Sequence, residues 1–338
     1  MSRTRGWKRE GSRRHFRYVD ASGNRITDED KLDRIRALAI PPAWQDVWIS
    51  PSASSKLQAT GVDSAGRKQY LYHPAYREQQ DQAKFEKLIR FGERLPDLRA
   101  ATAEHLASES LDRRRVSALA TRLINRGWFR VGTERYAKES RTFGITTLRK
   151  RHARVRGSRI SFEFLGKNRS VVCSTLVDAD IASAVKELLE LPGGPRLFRY
   201  EWDGGYCNLT GARLNDYVRE WMGDEFTVKD FRTWGGTLVA AIGLAEHGTA
   251  ETEAEAKRTI AAVMRRVAVE LGNTPAVARS SYVSPAVIGQ YLAGTTLEDF
   301  RPRRLRVVRA RDPGLDPEEQ ALLSLLRSWR IKQARLAA

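Results

Sequence analysis

The segment LGNTPAVARSSYVSPAVIGQY, Leu271 to Tyr291, holds a tyrosine, Tyr282, between two helix boundaries. Before it, Gly272 closes a long helical run. After it, Ser284-Pro285 reads as an N-cap followed by the first helical position, where proline is tolerated. A tyrosine in that place can staple a helix end by packing or hold its hydroxyl out as a nucleophile, and the segment leaves both open. The second role has definite chemical requirements. A phenol titrates near ~10 and is a weak nucleophile at neutral pH. Its attack on a phosphodiester adds negative charge to the non-bridging oxygens, which cationic forks and hydrogen-bond donors must stabilise where no metal does so. The expelled 5′ oxygen needs a proton, which a lysine can give if neighbouring positive charge lowers its pKa. Such a site takes one tyrosine, two arginines, one lysine and one further donor.

Composition points to the substrate class such a group would meet. The 338 residues carry 59 Lys+Arg against 41 Asp+Glu, a formal charge of +18. An excess of that size implies a polyanionic partner, of which nucleic acid is the commonest and an anionic membrane the rival. There is no 18-residue apolar run, and the N-terminal stretch from Met1 to Arg9 lacks the apolar core of a signal segment. Cys173 and Cys207 are too few for a disulfide framework and have no metal-ligand spacing. The expectation is a soluble protein of a reducing compartment, fitting a bacterial cytoplasm and an association with its nucleoid. No H-x-x-H or H-E-x-x-H spacing occurs, nor a G-x-x-x-x-G-K-[ST] loop, so neither a metal nor a nucleotide is expected as cofactor.

The length makes two domains the default. Residues 1–82 are rich in turns and aromatics. RYVDASGNRIT reads as strand, Gly-Asn turn, strand; Thr27 reads as the N-cap of a helix running through DEDKLDRIRALAI to Pro41-Pro42; DVWISP and KQYLYHP read as strands, with TGVDSAGR a loop. Residues 83–338 are largely helical. Val116, Leu119, Ala120, Leu123 and Ile124 keep the spacing of one helix face, and DIASAVKELLEL, GARLNDYVREWM, VKDFRTWGGTLVAAIGLA, ETEAEAKRTIAAVMRRVAVELG and the C-terminal DPEEQALLSLLRSWRIKQARLAA continue the pattern. SRISFEFLGKNRSVVCSTLV breaks it: Ile160, Phe162 and Phe164 alternate with polar residues and Gly-Lys-Asn turns the chain, a β-hairpin. The expected class is α+β, a small mainly β N-terminal domain followed by a larger mainly α domain with a β-hairpin.

Four motifs, GWFRVGTERYAKESRTFGITTLRKRHARV, FEFLGKNRS, VKDFRTWGGT and LGNTPAVARSSYVSPAVI, stand in this order along the chain. Together they resemble the type IB DNA topoisomerases of bacterial and poxvirus type, whose catalytic fold is related to that of the tyrosine recombinases. FRYVDASGNRITDEDKLDRIRALAIPPAW and GRKQYLYHP resemble that family's N-terminal domain. The resemblance covers about residues 7 to 300. It implies a monomeric clamp around duplex DNA that makes a transient 3′-phosphotyrosyl nick, lets the DNA swivel and reseals it without ATP or metal. It makes Tyr282 the nucleophile, Arg130 and Arg232 the arginines on the scissile phosphate, and Lys167 the general acid. Asn273 takes the place where many relatives carry histidine; a carboxamide donates a hydrogen bond but is no general base near neutrality. Gln69, Tyr70 and Tyr72 would face the major groove, Gln69 with a bidentate contact to adenine. Arg67, Tyr136, Lys138, Arg149 and Lys229 would contact phosphates, which positions without specifying.

Each residue also has an ordinary role: a packing tyrosine, solvated or paired arginines, a surface lysine at a turn, a helix stop at Asn273-Thr274-Pro275. The joint occurrence of four motifs in order outweighs these separate readings. His15, His73, His105, His152 and His247 are given no role. Two other functions compete with the topoisomerase. A site-specific tyrosine recombinase uses nearly the same groups, commonly behind a helical N-terminal domain, which the turn-rich β module opposes. A DNA-binding protein with decayed catalysis would leave plasmid topology indifferent to Tyr282.

Overall fold

The structure, a computed structural model, describes residues 5–12, 15–301 and 314–337. Met1 to Thr4, the start of the N-terminal stretch discussed above, lie outside the described residues. The chain divides into two compact units, Met1–Lys84 and Phe85–Ala338.

The first unit is an antiparallel five-stranded sheet, β1 (Trp7–Ser12), β2 (His15–Val19), β3 (Gln45–Ile49), β4 (Leu57–Val62) and β5 (Lys68–Tyr72), with a helix α1 (Glu29–Ala37) between β2 and β3. The strand order is β2-β1-β3-β4-β5, so β5 is an edge. Trp7, Ile26, Ile35, Val47, Ile49 and Ala59 form its core, with Leu71 packed against them. Several expectations need correction here. The N-cap of α1 is Asp28 instead of Thr27: its Oδ1 accepts the Lys31 N–H at 3.1 Å, and a carboxylate caps at least as well as a threonine hydroxyl. The helix ends at Ala37 and does not run on to Ile40, because Ala39 turns left-handed (φ 46°) ahead of the two prolines. The second strand expected in RYVDASGNRIT shrinks to a single bridge, Val19 to Arg25. Thr60 to Val62, read as loop, belong to β4, where Thr60 pairs with Tyr70 and Val62 with Lys68. β1 escaped notice because its WKREGS is charged and shows no apolar alternation.

A long helix, α2 (Pro74–Leu106), leads into the second unit. There follow α3 (Arg113–Gly127), α4 (Glu134–Glu139), a three-stranded antiparallel sheet of β6 (Ala153–Arg156), β7 (Arg159–Leu165) and β8 (Val171–Val177), and α5 (Ala179–Glu190). A small hairpin of β9 (Arg199–Trp202) and β10 (Gly205–Asn208) precedes α6 (Gly211–Met222), α7 (Asp230–His247), α8 (Glu253–Leu271), α9 (Pro275–Ser281), α10 (Pro285–Leu292) and α11 (Pro317–Ala337). The class is α+β, as the pattern of the sequence implies. One contiguous core runs through this unit. α7 lies deepest: Phe231, Arg232, Thr233, Trp234, Gly235, Gly236 and Thr237 are all buried, so its first two turns have no solvent face. A helix buried all round is expected to be apolar all round. Thr233 and Thr237 bring small hydroxyls, and Arg232 is the charged exception.

Candidate active site

Three chain segments meet at the start of α7. The first is the exit from α3. Trp128 closes that helix in the left-handed region (φ 50°, ψ 33°), its N–H donating to Ile124 O at 2.8 Å. Phe129 then buries its ring against Phe162 and Phe164 of β7, and Arg130 follows, its carbonyl accepting the Ile145 N–H at 2.7 Å. The second segment is the end of α8. Gly272 adopts φ 58°, and the Asn273 N–H returns to Ala268 O at 2.8 Å, a Schellman closure that glycine makes possible at this position. Thr274 and Pro275 at once start α9. The third is the junction of α9 and α10, where Tyr282 ends one helix and Ser284 caps the next.

Arg232 Nη1 donates to Trp128 O and its Nη2 to Leu271 O, each at 2.6 Å, so this buried guanidinium joins the first two segments. Its carbon lies 5.0 Å from the centre of the Tyr282 ring, which brings in the third. Arg130 Nη2 donates to Gly272 O at 3.0 Å and to Asn273 Oδ1 at 2.6 Å. Arginine has no acceptor, so the Asn273 carboxamide must turn its oxygen to Arg130, leaving Nδ2 as the free donor. That Nδ2 is buried and unpartnered, as is Arg232 Nε. Buried donors without acceptors are uncommon, and two of them lie in this one cluster.

The electrostatics follow from this packing. Burial, then the neighbouring charge of Arg130, brings the Arg232 guanidinium down to about 10. Burial alone would push the Tyr282 phenol up, but the charge and hydrogen bonding of Arg232, then of Arg130, hold it below its ordinary value. The site thus favours a phenolate and presents two cations and a neutral donor beside it.

Tyr282 is fixed through its backbone as well. Thr237, five residues after Arg232 on α7, donates from Oγ1 to Tyr282 O and accepts the Ser284 N–H, both at 3.1 Å. Gly236 permits the approach: a Cβ there would stand 2.9 Å from Tyr282 O and 3.0 Å from Tyr282 Cβ. Gly235 makes room likewise for the Trp128 indole. Sequence reasoning missed Thr237 and Trp128. Neither residue left a signal in the sequence, because Thr237 stands five residues from Arg232, off its helix face, and grips a segment distant in the chain.

Arg130, Arg232, Asn273 and Tyr282 are therefore brought together; Lys167 is not among their contacts. It opens the turn between β7 and β8, exposed, with Asn168 and Arg169 both left-handed (φ 60° and 59°). The turn end of that hairpin is tied to the same framework, because Phe143 N donates to Leu165 O at 2.7 Å two residues before the Ile145 bond to Arg130. Tyr136 and Lys138 are exposed on α4, Lys229 is exposed at the start of α7, and Arg149 is half-buried with its guanidinium 5.5 Å from the Phe143 ring. His152 keeps the ordinary role expected of it. It is buried against Phe143, accepts the Arg149 N–H on Nδ1, and is driven down to about 4 by burial and then by Arg151 and Arg149.

In the first unit, Tyr70 and Tyr72 stand exposed on one face of β5, ring centres 6.2 Å apart and nearly parallel. Gln69 lies on the opposite face with Leu71, by the alternation of the strand. Gln69 and Arg67 both donate to Asp63.

Comparison with known proteins adds to this geometry. The family model of the eukaryotic DNA topoisomerase I catalytic core matches residues 73–293, and that of the bacterial DNA topoisomerase IB N-terminal domain matches residues 15–63. The chain is 33% identical over 286 residues to DNA topoisomerase 1B of Acanthamoeba polyphaga mimivirus, covering 82% of this chain and 85% of that protein. It is 21% identical over 273 residues to DNA topoisomerase 1B of vaccinia virus (strain Copenhagen), 78% of this chain and 83% of the relative. DNA topoisomerase 1 beta of Arabidopsis thaliana matches at 25% over 170 residues, half of this chain and 18% of the plant protein. The matched family models and these relatives define the class, a DNA-acting isomerase. The chain belongs to the type IB DNA topoisomerases. Among the described residues no helix is long and apolar enough to cross a membrane.

Proposed function

We propose that this enzyme relaxes supercoiled duplex DNA as a monomeric clamp, through a transient nick carried on Tyr282, with neither ATP nor a metal ion. The observation that carries the reading is the Tyr282 phenol packed against the Arg232 guanidinium, with Arg130 donating to Asn273 Oδ1 alongside and Asn273 Nδ2 left without an acceptor. The phenol gives up its proton to solvent water, helped by the charges of Arg232 and Arg130, and its oxygen attacks the scissile phosphorus. The new bond is Tyr282 Oη–P, the bond broken is P–O5′, and Lys167 Nζ supplies the proton that O5′ requires. Arg130, Arg232 and Asn273 hold the oxygens on which charge builds. The phosphodiester energy stays in the 3′-phosphotyrosine while the free end swivels, and the reverse steps reseal the strand. Lys167 belongs to this set through its place on a hairpin braced against the segment that bonds Arg130, from which DNA binding would bring its side chain to the 5′ oxygen.

Arg67, Tyr136, Lys138, Arg149 and Lys229 position the duplex through its phosphates, and Gln69, Tyr70 and Tyr72 line the major groove. β5 suits this because it is an edge strand: entering a groove edge-first, it meets the base pairs with side chains from both faces. The enzyme would work on the nucleoid of a bacterial cytoplasm. The β-rich first unit and the family placement favour this reading over a site-specific recombinase. A plasmid carrying no recombination site discriminates. Relaxation in the presence of EDTA and absence of ATP supports the proposal, whereas a requirement for a specific site, metal or nucleotide would defeat it.

A further inference from the structure

β4 and β5 are joined by a tight turn whose hub is Asp63. Its Oδ1 accepts the backbone N–H groups of Ala65 and Arg67 at 3.0 and 2.9 Å, and its Oδ2 accepts Arg67 Nε and Gln69 Nε2, both at 2.8 Å. Gly66 supplies the left-handed residue (φ 73°) that lets the turn close. Hydrogen bonds, the Arg67 side chain's first, hold the Asp63 carboxyl down to about 2, so above that pH it is an ionised, acceptor-only group.

This settles which end of the Gln69 carboxamide faces Asp63. A carboxylate has no proton to give, so Nε2 must face it and Oε1 cannot. What Gln69 can offer outward is then one acceptor, Oε1, and one donor, the second Nε2 proton, in a single plane. That fork matches N6–H and N7 of adenine in the major groove, whereas guanine presents two acceptors there. A carboxamide free to turn over could give both Nε2 protons to guanine. Held by Asp63, it cannot do so without setting Oε1 against a carboxylate.

We infer that Asp63 is a specificity-determining positioning residue: it locks the Gln69 carboxamide so that adenine is favoured over guanine at one base pair of the cleavage site. This rests on Gln69 being a base contact, as proposed above; Asp63 acts only through Gln69.

The test maps cleavage positions of the full chain on a random-sequence duplex library, comparing wild type with Gln69→Ala, Asp63→Asn and Asp63→Ala. Thermal melting of each variant reports folding. Asparagine can donate as well as accept, so Asp63→Asn releases the lock with almost no change of shape and carries the test should Asp63→Ala fail to fold. Wild type is expected to favour adenine over guanine at one position by about tenfold, the size of a single bidentate contact. Gln69→Ala abolishes that bias. Asp63→Asn brings the adenine-to-guanine ratio there close to unity while biases at other positions persist, which a general loosening of the turn would not produce. A bias that survives in Asp63→Asn overturns the lock and leaves the Gln69 contact standing. A wild-type enzyme without the bias, or one whose bias ignores Gln69→Ala, refutes the base contact itself.

Discussion

The guanidinium of Arg130 donates to the carboxamide oxygen of Asn273 at 2.6 Å, and the amide nitrogen of Asn273 is left buried with no partner. Arg130 therefore decides what Asn273 can do: accept from the arginine and give its protons elsewhere. Asn273→Ala should slow single-turnover cleavage by about 10²- to 10³-fold, roughly 3 kcal/mol, the cost of one lost oxyanion donor. Asn273→Asp should be slower still, because a carboxylate there pairs with Arg130 and repels the phosphate. Cleavage by Asn273→Asp at the asparagine rate would show that this position donates nothing.

The acid–base behaviour follows from the same cluster. The Tyr282 phenol sits below its ordinary value despite burial, so the reactive phenolate gains as pH rises and cleavage should climb to a plateau below the ~10 of free tyrosine. Arg232, at about 10, loses its charge above that pH and the rate should fall again. Arg130 lowers both groups, so Arg130→Ala should shift both limbs of the pH–rate profile to the alkaline side. A profile unmoved by that substitution would mean that Arg130 does not act on the phenol.

Thr237 holds the backbone of Tyr282, the proposed nucleophile, to the helix that carries Arg232. Thr237→Val keeps the shape but leaves Tyr282 O and Ser284 N–H buried without partners, which should cost about 1–3 kcal/mol of stability. Cleavage should fall on the order of tenfold or more as the phenol shifts against the phosphate, with duplex affinity little changed. Thr237→Ser should restore both stability and rate. A valine variant that keeps wild-type stability and rate, with the loss confined to serine, would point to the methyl group and against the hydrogen bonds.

Lys167 stands apart from the cluster, so its role can be separated chemically. Lys167→Ala should cleave ordinary DNA slowly and recover on a substrate whose leaving 5′ oxygen is replaced by sulfur, which departs without a proton. Failure of that substrate to restore the rate would remove the general-acid role.

Much of this arrangement was legible in the chain. Periodicity located α3, α5, α6, α7, α8 and α11 but not the short α4 and α9, Gly272 and Ser284-Pro285 marked the boundaries around Tyr282, and the FEFLGKNRS alternation located the hairpin that carries Lys167. Those signals are local, set by caps and by spacing along one element. The short strands β6, β9 and β10 were missed, although the Asp203-Gly204 turn was there to be read. What the sequence could not convey was long-range. The Arg232 bonds to Trp128 and Leu271 span separations that leave no periodic trace, as does the grip of Thr237 on Tyr282. The Gln69–Asp63 bond is near in sequence yet hidden, because it depends on a turn that was read as loop.

The covalent intermediate tests the central claim most directly. Wild-type enzyme should be mixed with duplex DNA, denatured during turnover and digested, and the peptide that retains a nucleotide sequenced by mass spectrometry. The account predicts a single modified residue, Tyr282, joined to a 3′ phosphate, and no adduct from Tyr282→Phe. An adduct on any other side chain, or one that persists in Tyr282→Phe, would contradict it.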